Sequence, residues 1–229
     1  MKAIFSIIIL SISYQCFSQN VRIPDQNFKQ RIIALGYDTN DDGQIQTSEA
    51  QKVTNLYVND LGIVNLEGIN SFINLEELGC YNNKISALDV SKLKKLKHLF
   101  AGRNRIATLN LAGLSALEDL YIEGNLFMTN LDVSTFKNLK KLYISDNRIT
   151  KLDVTGLNEL EIIEGENNRL ETVIVRKAPN LKSINLKKNP ITTTIDIRGL
   201  TNLEYIDFSE CNLLFINFSG TVRLKEYHW

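Results

Sequence analysis

Beyond residue 52 the apolar residues of this chain recur in a fixed rhythm. The stretches "LGCYNNKISALDV" from Leu78, "LFAGRNRIATLNL" from Leu99 and "LYISDNRITKLDV" from Leu142 superpose on one pattern, L-x-L-x-x-N-x-I-x-x-L-x-L/V. Its units open at Leu56, Leu78, Leu99, Leu120, Leu142, Ile163, Ile184 and Ile206, each 21 or 22 residues after the last. In L-x-L the first and third side chains point to one side of a strand and the middle one to the other. Each unit therefore has two apolar side chains to bury and no means of burying them alone, so stacked neighbours must build one continuous core.

An asparagine column, Asn83, Asn104, Asn125, Asn147, Asn168 and Asn189, runs through the units. An inward asparagine can bond the backbone of the turn that leaves each strand, which stacking would otherwise strand without partners. Leu61 and Cys211 take this column in the first and last units, as befits atypical terminal repeats. After each strand the apolar spacing falls to three, as in Val90, Leu93, Leu96 and Leu99. That spacing predicts 3-10 turns or extended segments on the return side, not a full α-helix. A second alternation, as in Leu152 and Val154 or Ile195 and Ile197, predicts a short extended piece there.

These units resemble leucine-rich repeats, and are similar to the short repeats of bacterial internalins and related surface proteins. The resemblance covers about residues 53 to 227. It implies a leucine-rich-repeat solenoid with a curved parallel β-sheet on the concave face and short 3-10 or extended convex segments. The array is assigned to residues 53–229.

Ahead of the array, "IPDQNFKQRIIALG" opens with Pro24 and Asp25, which start helices, and sets Phe28, Ile32 and Leu35 on one helical face. "DTNDDGQIQTSE" follows, and from Asp38 it fits D-x-[DN]-x-[DN]-G-x₅-E at every constrained position. Calcium takes about seven hard oxygens. Asp38, Asn40 and Asp42 would give side-chain oxygens, Gln44 its carbonyl, Gln46 a held water and Glu49 two oxygens, with Gly43 making the sharp turn. A second short helix begins at Ser48, Glu49 and Ala50. The layout resembles the EF-hand-like caps that precede leucine-rich repeats in internalin-type proteins, and defines a helical EF-hand-like N-terminal cap over residues 19–52. Ala50 departs from it, standing where an EF-hand has a large apolar residue. The expected role is a structural calcium that fastens the cap; the bland reading is an acidic, solvated turn.

The first eighteen residues have the form of a secretory signal peptide: Lys2, an apolar run from Ala3 to Tyr14 too short to span a bilayer, and small residues at Cys16 and Ser18. A lipoprotein signal anchored at Cys16 is the rival, disfavoured by the bulk of Tyr14 and Gln15. No other segment is apolar enough for a transmembrane span. The expected location is therefore secreted or cell-surface. Basic and acidic residues balance at 26 each, so nothing in the charge points to nucleic acid as partner. The remaining cysteines, Cys80 and Cys211, lie six units apart, roughly 29 Å at ~4.8 Å per strand. Both are expected to be free, buried and without a catalytic role.

On the concave face the central outward column reads Tyr57, Gly79, Phe100, Tyr121, Tyr143, Glu164, Asn185 and Asp207, with Tyr81, His98 and Glu123 beside it. Phe100, Tyr121 and Tyr143 should form a contiguous stripe, an anchor for a protein ligand or a platform for a glycan; the alternative is that aromatics are simply good strand residues. The basic run Lys92, Lys94, Lys95 and Lys97 reads as a solvated face. No G-x-S-x-G, H-E-x-x-H, C-x-x-C, P-loop or G-x-G-x-x-G motif occurs, and Asp119 and Glu123 are the one carboxylate pair worth noting, so no enzyme is expected. The leading reading is a recognition module, and the alternative a structural or adhesive surface component without a specific small ligand. Unlike internalins, the chain shows no wall-sorting motif or immunoglobulin-like domain after the repeats. Leu224 and Tyr227 look like the opening of a ninth coil, whose strand edge Tyr227 and Trp229 would cover unless an edge-to-edge partner does or the product is shorter than its relatives.

Overall fold

The structure, a computed structural model, describes residues 19–229; the expected signal peptide, residues 1–18, lies outside them. Nine strands form one parallel sheet in sequence order. They are β1 (Asn55–Tyr57), β2 (Glu77–Gly79), β3 (His98–Phe100), β4 (Asp119–Tyr121), β5 (Lys141–Tyr143), β6 (Ile162–Glu164), β7 (Ser183–Asn185), β8 (Tyr205–Asp207) and β9 (Glu226–His228). Every unit opening falls at a strand centre, and the openings pair with one another, Leu78 with Leu99 and Leu99 with Leu120. The ninth strand is the coil opened by Tyr227.

The return side is built as the spacing predicts. Leu93 N–H bonds the Val90 carbonyl and Leu96 N–H the Leu93 carbonyl, successive three-residue turns. Short parallel pairs form beside them, Ala87–Asp89 with Thr108–Asn110, Lys151–Asp153 with Thr172–Ile174, and Ile195–Asp196 with Ile216–Asn217. The core is one continuous cluster of inward side chains, mostly leucines and isoleucines from the sheet and the return side, running the length of the stack.

The asparagine column carries the turns. Asn125, fully buried, accepts the Ile106 N–H at 2.9 Å and donates to the carbonyls of Ala101 and Ile122 at 3.1 and 2.9 Å. It thus ties its own strand to the coil before it. Asn83, Asn104, Asn147, Asn168 and Asn189 repeat the arrangement. The residue just before this column turns left-handed, from Asp60 and Asn82 through Arg103, Asp146 and Asn167 to Glu210, an unfavourable conformation for side-chain-bearing residues that the ladder holds in place.

The cysteine expectation needs one correction. Both are free, and Cys80 is buried with its thiol pushed up to about 12 by that burial. Cys211 is only half-buried, because fewer coils pack over it near the last strand; its thiol lies 3.3 Å from the Leu186 carbonyl.

The cap begins with α1 (Gln26–Ala34). The Asp25 carboxylate accepts the Phe28 N–H at 3.1 Å and, with its other oxygen, the Val64 N–H of the first coil at 2.8 Å. One residue thus starts the helix and fastens it to the array. Phe28 and Ile32 are fully buried against the first repeat. Asn27, Arg31 and Tyr37 donate to the carbonyls of Leu61, Tyr57 and Asn55. Carbonyls along the free edge of β1 are met by side chains of the cap, which closes an edge that would otherwise recruit a strand. A second helix, α2 (Thr47–Ala50), completes the cap.

Candidate functional site

Two places carry the residues singled out by sequence: the 38–49 loop of the cap and the outward face of the sheet.

In the loop, Asp38 Oδ2 accepts the Gly43 N–H at 2.8 Å and Oδ1 the Asp42 N–H at 3.2 Å. Gly43 holds φ +74°, the left-handed turn that glycine enters without strain. Asn40 Oδ1 also accepts the Asp42 N–H, and Asn40 Nδ2 donates to Asp42 Oδ2 at 3.1 Å. Asp42 accepts the Gln44 N–H at 2.7 Å and Gln46 Nε2 at 2.8 Å. The Gln44 N–H is the first cause holding the Asp42 carboxyl below the ordinary carboxylate range. Asp38, Asn40 and Asp42 therefore turn toward one another. Hard oxygens, two of these three residues anionic, suit a calcium ion in donor chemistry.

Glu49 stands differently. Its Oε1 accepts the Thr39 N–H and hydroxyl at 2.6 and 2.7 Å, and its Oε2 the Gln46 N–H at 2.9 Å. Burial works to raise its carboxyl, but the Thr39 hydroxyl and the two amides outweigh burial and hold it low. Both oxygens are committed to the base of the loop. Among the described residues no three His, Cys, Asp or Glu side chains are gathered as a metal-holding group. The side chain of Gln44 accepts from Lys29 Nζ at 3.0 Å.

On the sheet, outward residues alternate with the buried leucines. Phe100, Tyr121 and Tyr143 lie side by side in register. The Phe100 and Tyr121 rings are 4.9 Å apart and tilted by 32°; Tyr121 and Tyr143 are 4.3 Å apart and stacked at 11°. Burial first, then the neighbouring Tyr143 and carboxylates, pushes the Tyr121 hydroxyl up to about 12. Toward the cap, Tyr57 leans into the space left by Gly79, where a Cβ would stand 2.7 Å from its ring. The Arg103 guanidinium sits 5.4 Å over the Tyr81 ring.

The carboxylates divide. Asp119 is paired, with His98 Nδ1 at 2.9 Å and Lys141 Nζ at 3.9 Å. Glu123 folds over Gly102, where a Cβ would stand 2.6 Å from its carboxyl carbon. Its Oε2 is buried with no hydrogen-bond partner. Burial raises the Glu123 carboxyl, with Arg103 opposing. Asp119 and Glu123 are thus differently engaged rather than a working pair. Glu164, the register partner of Tyr143, accepts from Asn185 Nδ2 at 2.9 Å, and burial raises its carboxyl too. The part Glu164 plays was not singled out by sequence; its signal was its place in the same column, directly after the last aromatic.

A parallel sheet of 21- or 22-residue coils, with an asparagine ladder inside and aromatics outside, defines a leucine-rich-repeat protein. The profile of the leucine-rich-repeat domain of endo-beta-N-acetylglucosaminidase EndoS matches residues 23–147, more than half of the chain, and a general leucine-rich-repeat profile matches 138–160. The chain belongs to this leucine-rich-repeat family. A search of curated proteins finds no match. Among solved structures it is similar to an internalin, InlF, of Listeria monocytogenes, with 19% identity and a TM-score of 0.55 over 93% of this chain and 78% of that one. It is also similar to internalin C2 of the same organism, with 24% identity and a TM-score of 0.53 over 85% and 93%. A chain of the octameric complex of latrophilin 3, Unc5D and the leucine-rich repeats of FLRT2 aligns at 20% identity with a TM-score of 0.59, over 72% of this chain and 56% of that one. At these identities the likeness is one of fold. No helix among the described residues is long and apolar enough to cross a membrane.

Proposed function

We propose that this chain is a secreted or cell-surface recognition module that binds a protein through the concave sheet face. The observation that carries this reading is the continuous Phe100–Tyr121–Tyr143 stack, half-buried on the outward face of the sheet. Large rigid aromatics on a preorganised scaffold lose little entropy on binding and are the usual anchors of interfaces. The site comprises Tyr57, Tyr81, His98, Phe100, Tyr121, Glu123 and Tyr143. A protein octamer among the structural neighbours is in keeping with it. A glycan stacked on the same rings is the other ligand class. The test is partner capture from envelope or host extracts by wild type, Tyr121→Ala and Tyr143→Ala. Captured proteins should drop at least tenfold in both variants, on the order of a hot-spot loss; undiminished capture removes the stripe from the reading.

Calcium in the cap belongs to the same proposal. Asp38, Asn40, Asp42 and the Gln44 carbonyl would hold it, with a water on Gln46. Glu49 would complete the sphere by releasing the Thr39 and Gln46 amides. The ion would supply charge neutralisation and a rigid cap. Calorimetry with Ca²⁺ should give heat with wild type and none with Asp38→Ala; equal heats, or none in either, refute it.

A structural or adhesive role is the second reading. It is favoured by the apolar far end, where Leu214, Val222 and Trp229 are 80%, 79% and 64% exposed. Tyr227 and Trp229 pack edge-on against Phe218 without covering β9. An edge-to-edge contact there would give assemblies that grow with concentration in sedimentation velocity.

A further inference from the structure

We infer that one flank of the stack docks onto an anionic lipid surface, with Leu126 and Phe127 entering the headgroup layer and Lys84, Arg105, Arg148 and Arg169 meeting lipid phosphates on either side. This flank lies past the ends of the sheet strands, so the inference does not use the concave face.

Between the ladder asparagine and the buried apolar residue after it, a coil exposes a single side chain. That residue is Lys84, Arg105, Arg148 or Arg169 in four of the coils. The coils are in register there. The N–H groups of Lys84, Arg105, Arg148 and Arg169 bond the carbonyls of Ile63, Ile85, Met128 and Ile149, each one coil back. The cations therefore form a row of roughly 19 Å, from Lys84 to Arg169 at ~4.8 Å per coil. All are exposed, and among the described residues none has an ion pair or a side-chain hydrogen bond. Within two residues of the row stand the carboxylates Asp146, which accepts from Asn167 Nδ2 at 2.7 Å, and Glu171, and one further cation, Arg103, so positive charge prevails. The chain as a whole carries 26 basic and 26 acidic residues, and the attraction comes from this row, not from net charge.

The coil between Arg105 and Arg148 breaks the row with an insertion. Asn125 is followed by two exposed residues, Leu126 and Phe127, at 54% and 56%, before the buried Met128. Met128 N–H bonds the Asn125 carbonyl at 2.9 Å and closes a four-residue turn with Leu126 and Phe127 at its corners. The ladder adapts to it: Asn147 Oδ1 accepts the Asn125 N–H, whereas Asn104 Oδ1 takes the Ile85 N–H and Asn125 Oδ1 the Ile106 N–H. Surface turns ordinarily carry Gly, Pro, Asn, Asp or Ser. Two large apolar side chains at the corners of one, with cations one and two coils away on both sides, make a tip and not a groove. A bilayer interface suits such a tip. Its apolar side chains sink between the headgroups while arginine and lysine reach phosphates beside them. An acidic protein segment would satisfy the cations but leave the tip in water.

The test is flotation of the whole chain with vesicles of phosphatidylcholine alone and of phosphatidylcholine mixed with phosphatidylglycerol. The mixed vesicles should carry the chain at low salt and release it at high salt, and the neutral ones should not carry it. Leu126→Ser/Phe127→Ser and Arg105→Gln/Arg148→Gln should each weaken partitioning about tenfold. Tyr121→Ala on the sheet and Lys92→Gln/Lys95→Gln on the return side should leave it unchanged. Trp229 is the only tryptophan of the chain. In a Trp229→Phe background, Phe127→Trp should therefore report insertion by a blue shift of its emission on mixed vesicles. Unchanged circular dichroism shows that the variants are folded. Equal flotation with both vesicle types, none with either, or partitioning indifferent to the two flank variants overturns the inference. So does flotation lost with Tyr121→Ala or with Lys92→Gln/Lys95→Gln, which moves the contact elsewhere. Capture of a glutamate-rich peptide that needs Arg105 and Arg148 but not Leu126 and Phe127, without vesicle binding, overturns it in favour of an acidic protein segment. The concave face fails by a different result, partner capture insensitive to Tyr121→Ala and Tyr143→Ala.

Discussion

Asn125 shows what one residue contributes here. Its amide serves Ile106, Ala101 and Ile122, all in regions closed to water. Replacing it with Ala leaves these backbone groups unpaired, at about 1–3 kcal/mol for each that water cannot reach. Urea unfolding should show Asn125→Ala destabilised within that range or beyond it, and a change below about 0.5 kcal/mol would remove the ladder from the account of stability. Glu123 acts in the opposite direction. Burial raises its carboxyl above the ordinary 4.5, Arg103 countering and Asp146 adding to the rise. The folded state therefore holds this proton more tightly than the unfolded chain does. Its favourable contribution is complete below the unfolded value and is lost as pH rises through the higher folded value. Glu123→Gln does not titrate, so its stability relative to wild type should increase from about pH 4 to about pH 8. A constant difference between unfolding midpoints at the two pH values would show that burial does not perturb this carboxyl.

The elements differ in how far the sequence reveals them. A repeat strand is legible because each column recurs once per coil: Leu78, Leu99 and Leu120 specify the same environment three times over. The aromatic stripe is legible for the same reason. The Glu123 cradle needs two columns read together, since Gly102 makes room one period before the glutamate that fills it. The loop is less legible still. Position twelve of the pattern assigns Glu49 to a metal, yet the Thr39 and Gln46 amides hold both of its oxygens, and a backbone N–H leaves no mark in a sequence. This wiring makes its own prediction. Glu49→Ala should free both amides and speed hydrogen exchange across residues 38–50, at a cost of about 1 kcal/mol, typical of a lost cap. Amides of the distant strands β5 to β7 should keep their protection, because coupling in a stack passes through neighbours.

Across the described residues the two ends of the stack differ: the cap covers β1, while β9 is exposed. At the near end, Arg31 and Tyr37 serve the first strand and Asn27 the turn after it, while Phe28 and Ile32 seal the core. At the far end β9 is exposed along its whole length, and Leu214 and Val222 face solvent. A stacked array gains most of its stability from interfaces between neighbours, so a strand with one neighbour opens more easily than a strand with two. Exchange protection should therefore fall from the middle of the sheet toward β9, with no matching fall toward β1, where the cap takes the place of the missing coil. Leu120→Ala, at the middle, removes contacts on both sides and should cost about 2–5 kcal/mol. The equivalent Ile206→Ala, next to the last strand, should cost less, because the coil beyond it is itself poorly held. If both substitutions lower the unfolding midpoint equally and exchange is uniform along the sheet, the chain unfolds as one unit, and the recognition face cannot be tuned one coil at a time.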